Sequence, residues 1–168
     1  MALPIPRKNA FPPSVDARTR VLVLGSLPGD ASIRRQEYYA HPGNGFWSLI
    51  GDVLGEDVRA MPYAARLARL RARGVGLWDV IGSADRRGSL DSAIREVDVR
   101  DLRSFVETLP ALRAIAFNGK TAALHGRRQL GQVPGITLID LPSSSGAYAT
   151  LSRTEKAAAW QMLAAHLA

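Results

Sequence analysis

The sequence predicts an α/β fold in which a central four-stranded parallel sheet lies between two layers of helices. Continuous apolar runs at residues 21–24, 75–81, 114–117 and 136–141 alternate with stretches compatible with helices. A buried parallel strand is apolar throughout because helices cover both faces of its sheet, and the same helices form the crossovers. The alternation therefore predicts a three-layer α/β/α domain.

Two of the predicted strands end in loops rich in small residues. The run at 21–24 stops at residues 25–29, Gly-Ser-Leu-Pro-Gly, and the run at 136–141 stops at residues 142–146, Pro-Ser-Ser-Ser-Gly. Ligands of open parallel sheets bind beyond the carboxyl ends of the strands. These loops are therefore predicted to face a common pocket.

Helices are predicted between and after the strands. The C-terminal helix is the most clearly marked, because Ser152 or Thr154 can cap its start and apolar residues follow at helical spacing. The segment Gly82–Ser89 is predicted to be an exposed connection. The predicted helices span residues 31–38, 46–54, 62–73, 100–109, 120–130 and 153–167.

Length and composition bound the class of protein. The 168 residues fit a single domain, residues 1–168, whose first 18 residues form a Pro-rich lead-in. The chain has 22 Lys and Arg against 15 Asp and Glu, a net charge of +7. This excess favours a polyanionic partner, although a solvated basic surface, such as the arginines of predicted helix 62–73, is the alternative.

The absence of cysteine excludes several kinds of chemistry. A chain with no Cys has no disulfide, no thiol nucleophile and no cysteine-ligated zinc or iron–sulfur cluster. The three histidines do not have metal-ligand spacing, so no cofactor is expected. No apolar run is long enough to cross a bilayer. We expect a cytoplasmic monomer that does not contact a membrane.

The segment 40–47, Ala-His-Pro-Gly-Asn-Gly-Phe-Trp, carries the side chains needed to bind a planar base. It places an amide, an imidazole and two aromatic rings beside a flexible turn. This combination suggests base recognition.

Four segments, taken in order, resemble the uracil-DNA glycosylase superfamily. They are residues 25–29, 41–47, 117–120 and 142–148, and the resemblance covers nearly the whole chain. The spacing of the first two is similar to the mismatch-type and hypoxanthine-DNA glycosylase branches. The resemblance implies the α/β/α fold, and it implies excision of deaminated bases from DNA without a cofactor.

The resemblance implies that Asn44 is the catalytic residue. Breaking an N-glycosidic bond develops positive charge on the sugar and negative charge on the departing base, and both must be stabilised. A side-chain amide can donate to a base carbonyl, while its oxygen accepts from a ring N–H or holds the attacking water. Asn44 can also cap the helix that begins near Phe46.

The base-binding residues are predicted around Asn44. The backbone of the first loop can approach a base closely, and its amides can donate to a base carbonyl. The resemblance places Phe46 as the ring that stacks on the flipped base, with core packing as the alternative. For His41 the alternatives are polarising the base and a hydrogen bond within the loop. The predicted base-binding set is Gly25, Ser26, Leu27, Phe46, His41, Asn118 and Tyr39.

Two positions depart from the superfamily. Leu27 stands where many members carry an Asp or Asn that aligns the water, and Leu141 stands where others carry a histidine. Both departures shift the catalytic burden toward Asn44. Asp30 could substitute for the first, but capping of the next helix is the preferred interpretation. Asp79 could reach the pocket edge or be satisfied by loop amides.

The second loop and the start of helix 120–130 are predicted to contact DNA. Serine hydroxyls and amides suit phosphates, and the amides near Lys120 lie at a helix start. Tyr148 is the predicted wedge that fills the space left by the flipped base. The predicted DNA-binding residues are Ser143, Ser144, Ser145, Lys120 and Tyr148.

The functional hypothesis is a monofunctional DNA glycosylase that uses water to remove hypoxanthine and uracil. The alternatives are a mismatch-type uracil-DNA glycosylase and a weakly catalytic protein that binds damaged or single-stranded DNA. A nucleotide-binding enzyme ranks last, because the dinucleotide fingerprint and the P-loop pattern are both absent.

Overall fold

A computed structural model describes residues 7–9, 11–86 and 94–168. Residues 1–6 and 10 of the Pro-rich lead-in and residues 87–89 of the predicted connection lie outside the described residues. The strands are β1 (Arg7–Asn9), β2 (Val21–Gly25), β3 (Val75–Asp79), β4 (Ile81–Arg86), β5 (Ile94–Val99), β6 (Ala114–Asn118) and β7 (Thr137–Leu141).

Four of the strands form the predicted parallel sheet, in the order β3-β2-β6-β7. Every pairing in it is parallel, and Gly25 of β2 stands opposite Asp79 of β3. The central strands β2 and β6 are buried along their whole length. The order runs outward in both directions from the β2–β6 pair, so the loops that follow these strands meet at one edge of the sheet.

Helices cover both faces of this sheet, which confirms the three-layer prediction. They are α1 (Asp30–Arg35), α2 (Phe46–Leu54), α3 (Tyr63–Ala72), α4 (Leu102–Glu107), α5 (Lys120–Leu130) and α6 (Arg153–Trp160), with 3₁₀ turns at Val58–Ala60 and Gln161–His166. Alternate side chains of a strand point to opposite faces, and the core divides accordingly. One half packs against α2, α3 and α6, and the other against α4 and α5.

The segment Gly82–Ser89 is not simply a connection, and this prediction was wrong for its described part. Residues Ile81–Arg86 form β4, which pairs antiparallel with β1 and β5 in a second, three-stranded sheet. The register of β4 and β5 shifts twice. Such irregular pairing breaks the alternation by which a strand is recognised in a sequence.

Two helix ends also differ from the predictions. The α-helix that begins at Arg153 ends at Trp160 and continues as a 3₁₀ turn, although Ser152 forms the predicted capping box with Glu155. Asp30 does not cap α1, because Gly29 is the cap residue and Asp30 is the first helical residue. Its charge still suits the helix start. In the described part of the chain, no helix is long and apolar enough to span a membrane.

Candidate active site

A cavity of about 410 Å³ opens at the carboxyl ends of the parallel strands. Its floor is made by residues 25–29 after β2 and by the last residues of β3 and β6, Asp79 and Asn118. Parts of segment 38–44, between α1 and α2, and residues 143–147 after β7 form its walls. The segments predicted to converge therefore do so, and the volume is that of a small-molecule site.

The cavity lining is almost free of charge. Among the described residues that line it, none is a lysine or an arginine, and Asp79 is the one carboxylate. His41 and two tyrosines are its other titratable groups. Backbone amides, hydroxyls and side-chain amides make up the polar remainder. Such a lining suits a neutral, planar ring and does not suit a phosphate.

Gly25 brings three groups of the cavity together. A Cβ atom at this position would lie 2.6 Å from Oδ1 of Asp79 and 2.9 Å from the hydroxyl of Tyr39. Real side chains do not tolerate such distances, so the packing requires a glycine. Ser26 and Leu27, the other predicted base contacts of this loop, are buried and also line the cavity.

The amide of Asn44 is oriented by the helix that follows it. Its Oδ1 accepts a hydrogen bond from the backbone N–H of Phe46, the first residue of α2, at 2.9 Å. Only an oxygen can accept there, so Nδ2 takes the opposite direction. Nδ2 has no hydrogen-bond partner among the described residues, and Asn44 lines the cavity. Asn44 is not the N-cap of α2, which is Gly45, but its Oδ1 binds the first N–H of that helix. Its catalytic role stays a prediction.

His41 makes the loop hydrogen bond that was one of its two predicted roles. Its Nδ1 accepts from the backbone N–H of Gly43 at 2.9 Å. In the neutral ring the proton is therefore on Nε2, which is left as a donor. The side chain is exposed at the cavity rim.

The aromatic residues of the cavity lining are Tyr38 and Tyr39. For Phe46 the structure shows core packing, the alternative to its predicted stacking on the base. Phe46 is 0% exposed and does not line the cavity. Tyr39 does line it and lies stacked on Phe46, with ring centroids 4.0 Å apart and an interplanar angle of 22°. Trp160 packs edge-on behind Phe46, at 5.8 Å. Phe46 supports the exposed ring from behind.

The second loop is held in place by Asn118. Its Nδ2 donates to Oγ of Ser144, and its Oδ1 accepts from the Ser144 backbone N–H, both at 2.9 Å. Both residues are buried. Asn118 was predicted to bind the base, and it does line the cavity. The structure uses both ends of its amide to position the loop.

The two walls of the cavity meet backbone to backbone. The N–H of Gly45 donates to the carbonyl of Ser144 at 2.8 Å. A Cβ atom on Gly146 would lie 2.5 Å from the carbonyl oxygen of Gly43. Ser143, Ser144 and the rest of this loop therefore stand against the segment that carries Asn44.

Lys156 anchors the far end of the second loop, and sequence reasoning missed it. The side chain is 7% exposed, and its Nζ donates to the carbonyl of Ser145 at 3.1 Å. The ammonium also lies 5.2 Å from the ring centroid of Tyr148. Burial, with the charge of Arg153 as a lesser cause, lowers the pKa of Lys156. The signal was its place four residues before Trp160, on the apolar stripe of the helix.

Besides Phe46, three residues considered in the sequence do not line the cavity. Tyr148 is half-buried beside it, although its neighbour Ala147 is part of the lining. Lys120 is exposed at the start of α5 and belongs to a shallow depression with Arg127 and Arg128. Asp30 does not line the cavity either. Asp79, by contrast, is part of the floor.

A second depression lies on the other side of the segment that carries Asn44. It measures about 430 Å³, and we call it the outer groove. His41 and Asn44 line both hollows, so this segment is a thin wall between them. The cations of the outer groove are Arg35, Arg59, Arg66 and Arg153, and its one acid is Glu37.

Two of these arginines, Arg66 and Arg153, contact other side chains or carbonyls of the protein. Arg66 lies over the Trp47 ring at 5.2 Å and donates to the Met61 carbonyl at 2.8 Å. Arg153 donates to Ser48 and to Asp52. Arg35 and Arg59 are exposed, and their side chains make no hydrogen bond or ion pair with the residues that the structure describes.

The other arginines of α3 are engaged within the protein. Arg69 and Arg73 pair with Glu56, and Arg71 donates to Ser14. The helix was considered as a phosphate-binding face, and Arg66 is its arginine that lines the outer groove. Nothing in the spacing of Arg35, Arg59 and Arg66 indicates that the fold brings them together.

Comparison with known proteins agrees with this arrangement. The model of the uracil DNA glycosylase superfamily matches residues 12–164. A hypoxanthine DNA glycosylase of Methanosarcina acetivorans is 40% identical over 159 residues, which cover 95% of this chain and 99% of the relative. A hypoxanthine DNA glycosylase of Methanosarcina barkeri is 41% identical over 143 residues, covering 84% and 88%.

A solved structure has the same fold. It is a solution NMR structure from Methanosarcina acetivorans, described provisionally as a uracil DNA glycosylase, and it superposes with a TM-score of 0.84 at 40% identity. The match covers 96% of this chain and 98% of the other. The resemblance carried by the four sequence segments is thereby confirmed, and the chain belongs to the uracil DNA glycosylase superfamily.

Proposed function

We propose that the protein is a monofunctional DNA glycosylase that hydrolyses the N-glycosidic bond of deaminated bases, hypoxanthine and uracil, in DNA. The observation that carries the proposal is the orientation of Asn44. Its Oδ1 is engaged by the first N–H of α2, so its Nδ2 is presented as a donor in a cavity lined by neutral groups.

A fixed donor is what the leaving group requires. As the bond to the sugar breaks, the base gains negative charge, much of it on its carbonyl oxygen. A donor that is already aimed at that oxygen needs no reorganisation and acts strongly in a site with little water. Asn44 is neutral, so it binds the intact base only moderately and favours the charged, departing base.

Tyr39 takes the stacking role in this proposal. A flipped base must lie on a flat apolar surface, and stacking holds it without selecting among bases. Tyr39 lines the cavity and is backed by Phe46, which is itself backed by Trp160. A ring supported in this way keeps its position when a base enters.

The DNA backbone is bound outside the cavity. Ser143 and Ser145 lie on the loop at its mouth, and the amides and hydroxyls of such a loop suit phosphates. The outer groove supplies cations on the other side of the wall. Water attacks the sugar, because the described lining offers no lysine that could form a Schiff base.

The test is excision from duplexes that differ only in one base. Oligonucleotides that carry hypoxanthine, uracil or no lesion are incubated with the protein, and abasic sites are cleaved with alkali. We expect lesion-dependent cleavage. An Asn44→Asp variant keeps an oxygen that accepts from the Phe46 N–H but loses the donor, and we expect its excision rate to fall by about 100- to 1000-fold.

The matched controls separate loss of the contact between Asn44 Oδ1 and helix α2 from loss of the Nδ2 donor. Asn44→Ala loses both, so its thermal stability should fall below that of Asn44→Asp while its activity is equally low. Ser152→Ala removes the capping hydroxyl of α6, which lines neither the cavity nor the outer groove, so it should lose stability but retain full activity. Tight DNA binding without excision of any lesion by the unaltered protein would refute the proposal and favour a DNA-binding protein without catalytic activity.

A further inference from the structure

The ring of Tyr39 depends on an unusual backbone conformation. Tyr39 has a φ of 55°, in the left-handed region that residues with a side chain disfavour. A return to the negative φ that tyrosine prefers would rotate the side chain and take its ring off Phe46, on which it is stacked. Such a conformation persists only where the surrounding structure fixes it. The backbone on both sides of Tyr39 must therefore be held.

The residue before Tyr39 is held by side chains from two helices. The N–H of Tyr38 donates to the hydroxyl of Tyr63, the first residue of α3, at 2.8 Å. The carbonyl of Tyr38 accepts from the indole N–H of Trp47, in α2, at 3.2 Å. The hydroxyl of Tyr38 donates to the carbonyl of Pro12 at 2.8 Å. Every polar group of Tyr38 is therefore engaged.

The residue after Tyr39 is held by a third helix. The N–H of Ala40 donates to Oγ of Ser32, a buried residue of α1, at 3.0 Å. Residues 38–40 belong to no helix or strand, so their backbone groups have side chains as partners. The helices α1, α2 and α3 each supply one of these partners. The conformation of Tyr39 is therefore fixed by how these three helices are placed.

Helix α2 fixes the ring of Tyr39 in a second way. Phe46 packs against this ring, with centroids 4.0 Å apart, and the next residue, Trp47, holds the carbonyl of Tyr38. The guanidinium of Arg66 lies over the Trp47 indole at 5.2 Å, on the side of the outer groove. The ring, its support and its backbone anchor thus have one fixed arrangement.

We propose that Tyr63, Trp47 and Ser32 are the positioning residues of Tyr39, which hold its ring where a flipped base stacks. This inference rests on the proposed function, because that function gives Tyr39 the stacking role. A ring that is fixed before the base enters loses little conformational freedom on binding. Tyr63 lines neither the cavity nor the outer groove, so its effect on the base passes through the segment that it holds.

The first experiment is a double-mutant cycle between Tyr63→Phe and Tyr39→Ala. Tyr63→Phe keeps the aromatic ring and removes the hydroxyl that accepts from Tyr38. Loss of one such hydrogen bond should lower kcat/KM for hypoxanthine excision by about 2- to 10-fold. In the Tyr39→Ala protein the same change should lower kcat/KM by less than about twofold, because no ring is left to position. An equal decrease in both proteins would show that Tyr63 only stabilises the fold, and would overturn the proposal.

Ser32→Ala tests the other side of Tyr39 and replaces Tyr63→Phe if that variant does not fold. It removes the acceptor of the Ala40 N–H, and we expect the same dependence on the Tyr39 ring. The matched control is Thr108→Val, which removes a hydroxyl that donates to the Phe105 carbonyl and lines neither hollow. We expect the control to keep its kcat/KM. If it loses as much activity as Tyr63→Phe, the proposal is overturned.

Fluorine NMR follows the ring without any excision. The chain has four tyrosines, so labelling with 3-fluorotyrosine gives one signal for each, and the Tyr39 signal is assigned by its loss in Tyr39→Phe. We expect Tyr63→Phe and Ser32→Ala to shift or broaden this signal, and Thr108→Val to leave it unchanged. A displaced signal in a protein that excises nothing supports the positioning residues and refutes the glycosylase. Excision with a signal unchanged in both variants supports the glycosylase and overturns this proposal.

Discussion

The two sides of the segment that carries Asn44 differ in chemistry although they share residues. On the inner side the lining has amides, hydroxyls, two tyrosines, an imidazole and one carboxylate, with no arginine or lysine among the described residues. On the outer side four arginines surround a groove of similar volume. The residues that belong to both are Tyr39, His41, Gly43 and Asn44. The net charge of +7 is therefore distributed very unevenly around the site.

The difference shows how the segment that carries Asn44 can contact both parts of a nucleotide, the base on one side and the phosphate on the other. A base is neutral and planar, and it is selected by hydrogen bonds at its edge. A phosphate is charged and identical in every nucleotide, so arginines bind it without reading sequence. Cations inside the cavity would attract phosphate and compete with the base. Their exclusion to the outer side keeps binding strength and base selection separate.

After the loss of the Asn44 donor, the largest effect is expected in the cavity, from Tyr39→Ala. Stacking of a base on an aromatic ring contributes about 1–3 kcal/mol, so kcat/KM for excision should fall by about 5- to 150-fold. Tyr39→Ala would also expose Phe46. Tyr39→Phe should retain most of the activity because it keeps the aromatic ring. The salt dependence of binding to undamaged duplex should not change in either variant. A steep change in it would contradict the separation of the two sides.

Much of this arrangement could be predicted from the sequence, and the rest could not for physical reasons. The parallel strands and the loops that follow them are encoded locally, in continuous apolar runs that end at small residues. Asn44 was found because its neighbours form a compact motif. The strand β4 was missed because its pairing with β5 is irregular.

Both Phe46 and Tyr39 were predicted as base contacts, and the sequence did not indicate that Tyr39 lines the cavity while Phe46 is buried behind it. Both rings adjoin the motif, and which of them faces the cavity depends on the chain path of segment 36–39. That path includes two non-glycine residues with positive φ, Gln36 and Tyr39, both at 55°. Local propensity does not predict such backbone conformations, because side chains disfavour them. The outer groove is likewise a product of tertiary structure alone.

An intermediate effect is expected on the outer side, from the double variant Arg35→Gln, Arg59→Gln. Each phosphate contact contributes about 0.9 to the slope of log affinity against log salt concentration. Loss of two contacts should make that slope shallower by about 2, equally for damaged and undamaged duplexes. Excision at saturating protein should be unchanged. The slope is measured by fluorescence anisotropy between low and physiological salt.

A charge-matched control makes this test decisive. Arg34→Gln, Arg128→Gln removes the same charge from two exposed arginines that line neither the cavity nor the outer groove. Arg128 shares a shallow depression with Lys120, which the sequence predicts to bind DNA. We expect the slope to remain unchanged here. If this control changes the slope and the outer-groove variant does not, DNA runs along α5 and the comparison between the two sides fails.

The smallest effect is expected from Lys156→Met. Like the double arginine variant of the outer groove it removes positive charge, but from a buried site. The ammonium is buried against the Ser145 carbonyl and the Tyr148 ring, so it does not reach a phosphate. We therefore expect the salt dependence of DNA binding to be unchanged. The lost hydrogen bond and the relieved burial of a charge oppose each other, so stability should change by no more than about 1 kcal/mol.

The pH dependence of stability tests whether the Lys156 ammonium is buried. The pKa of Lys156 in the folded protein lies below its ordinary value of 10.5. As pH rises through the folded pKa towards 10.5, the folded protein loses this proton before the unfolded chain does, and stability increases. Unfolding in denaturant at neutral and alkaline pH should show this gain in the unaltered protein relative to Lys156→Met. If the stability of Lys156→Met has the same pH dependence as that of the unaltered protein, the Lys156 ammonium is exposed to solvent. It would then be one of the cations that can contact DNA.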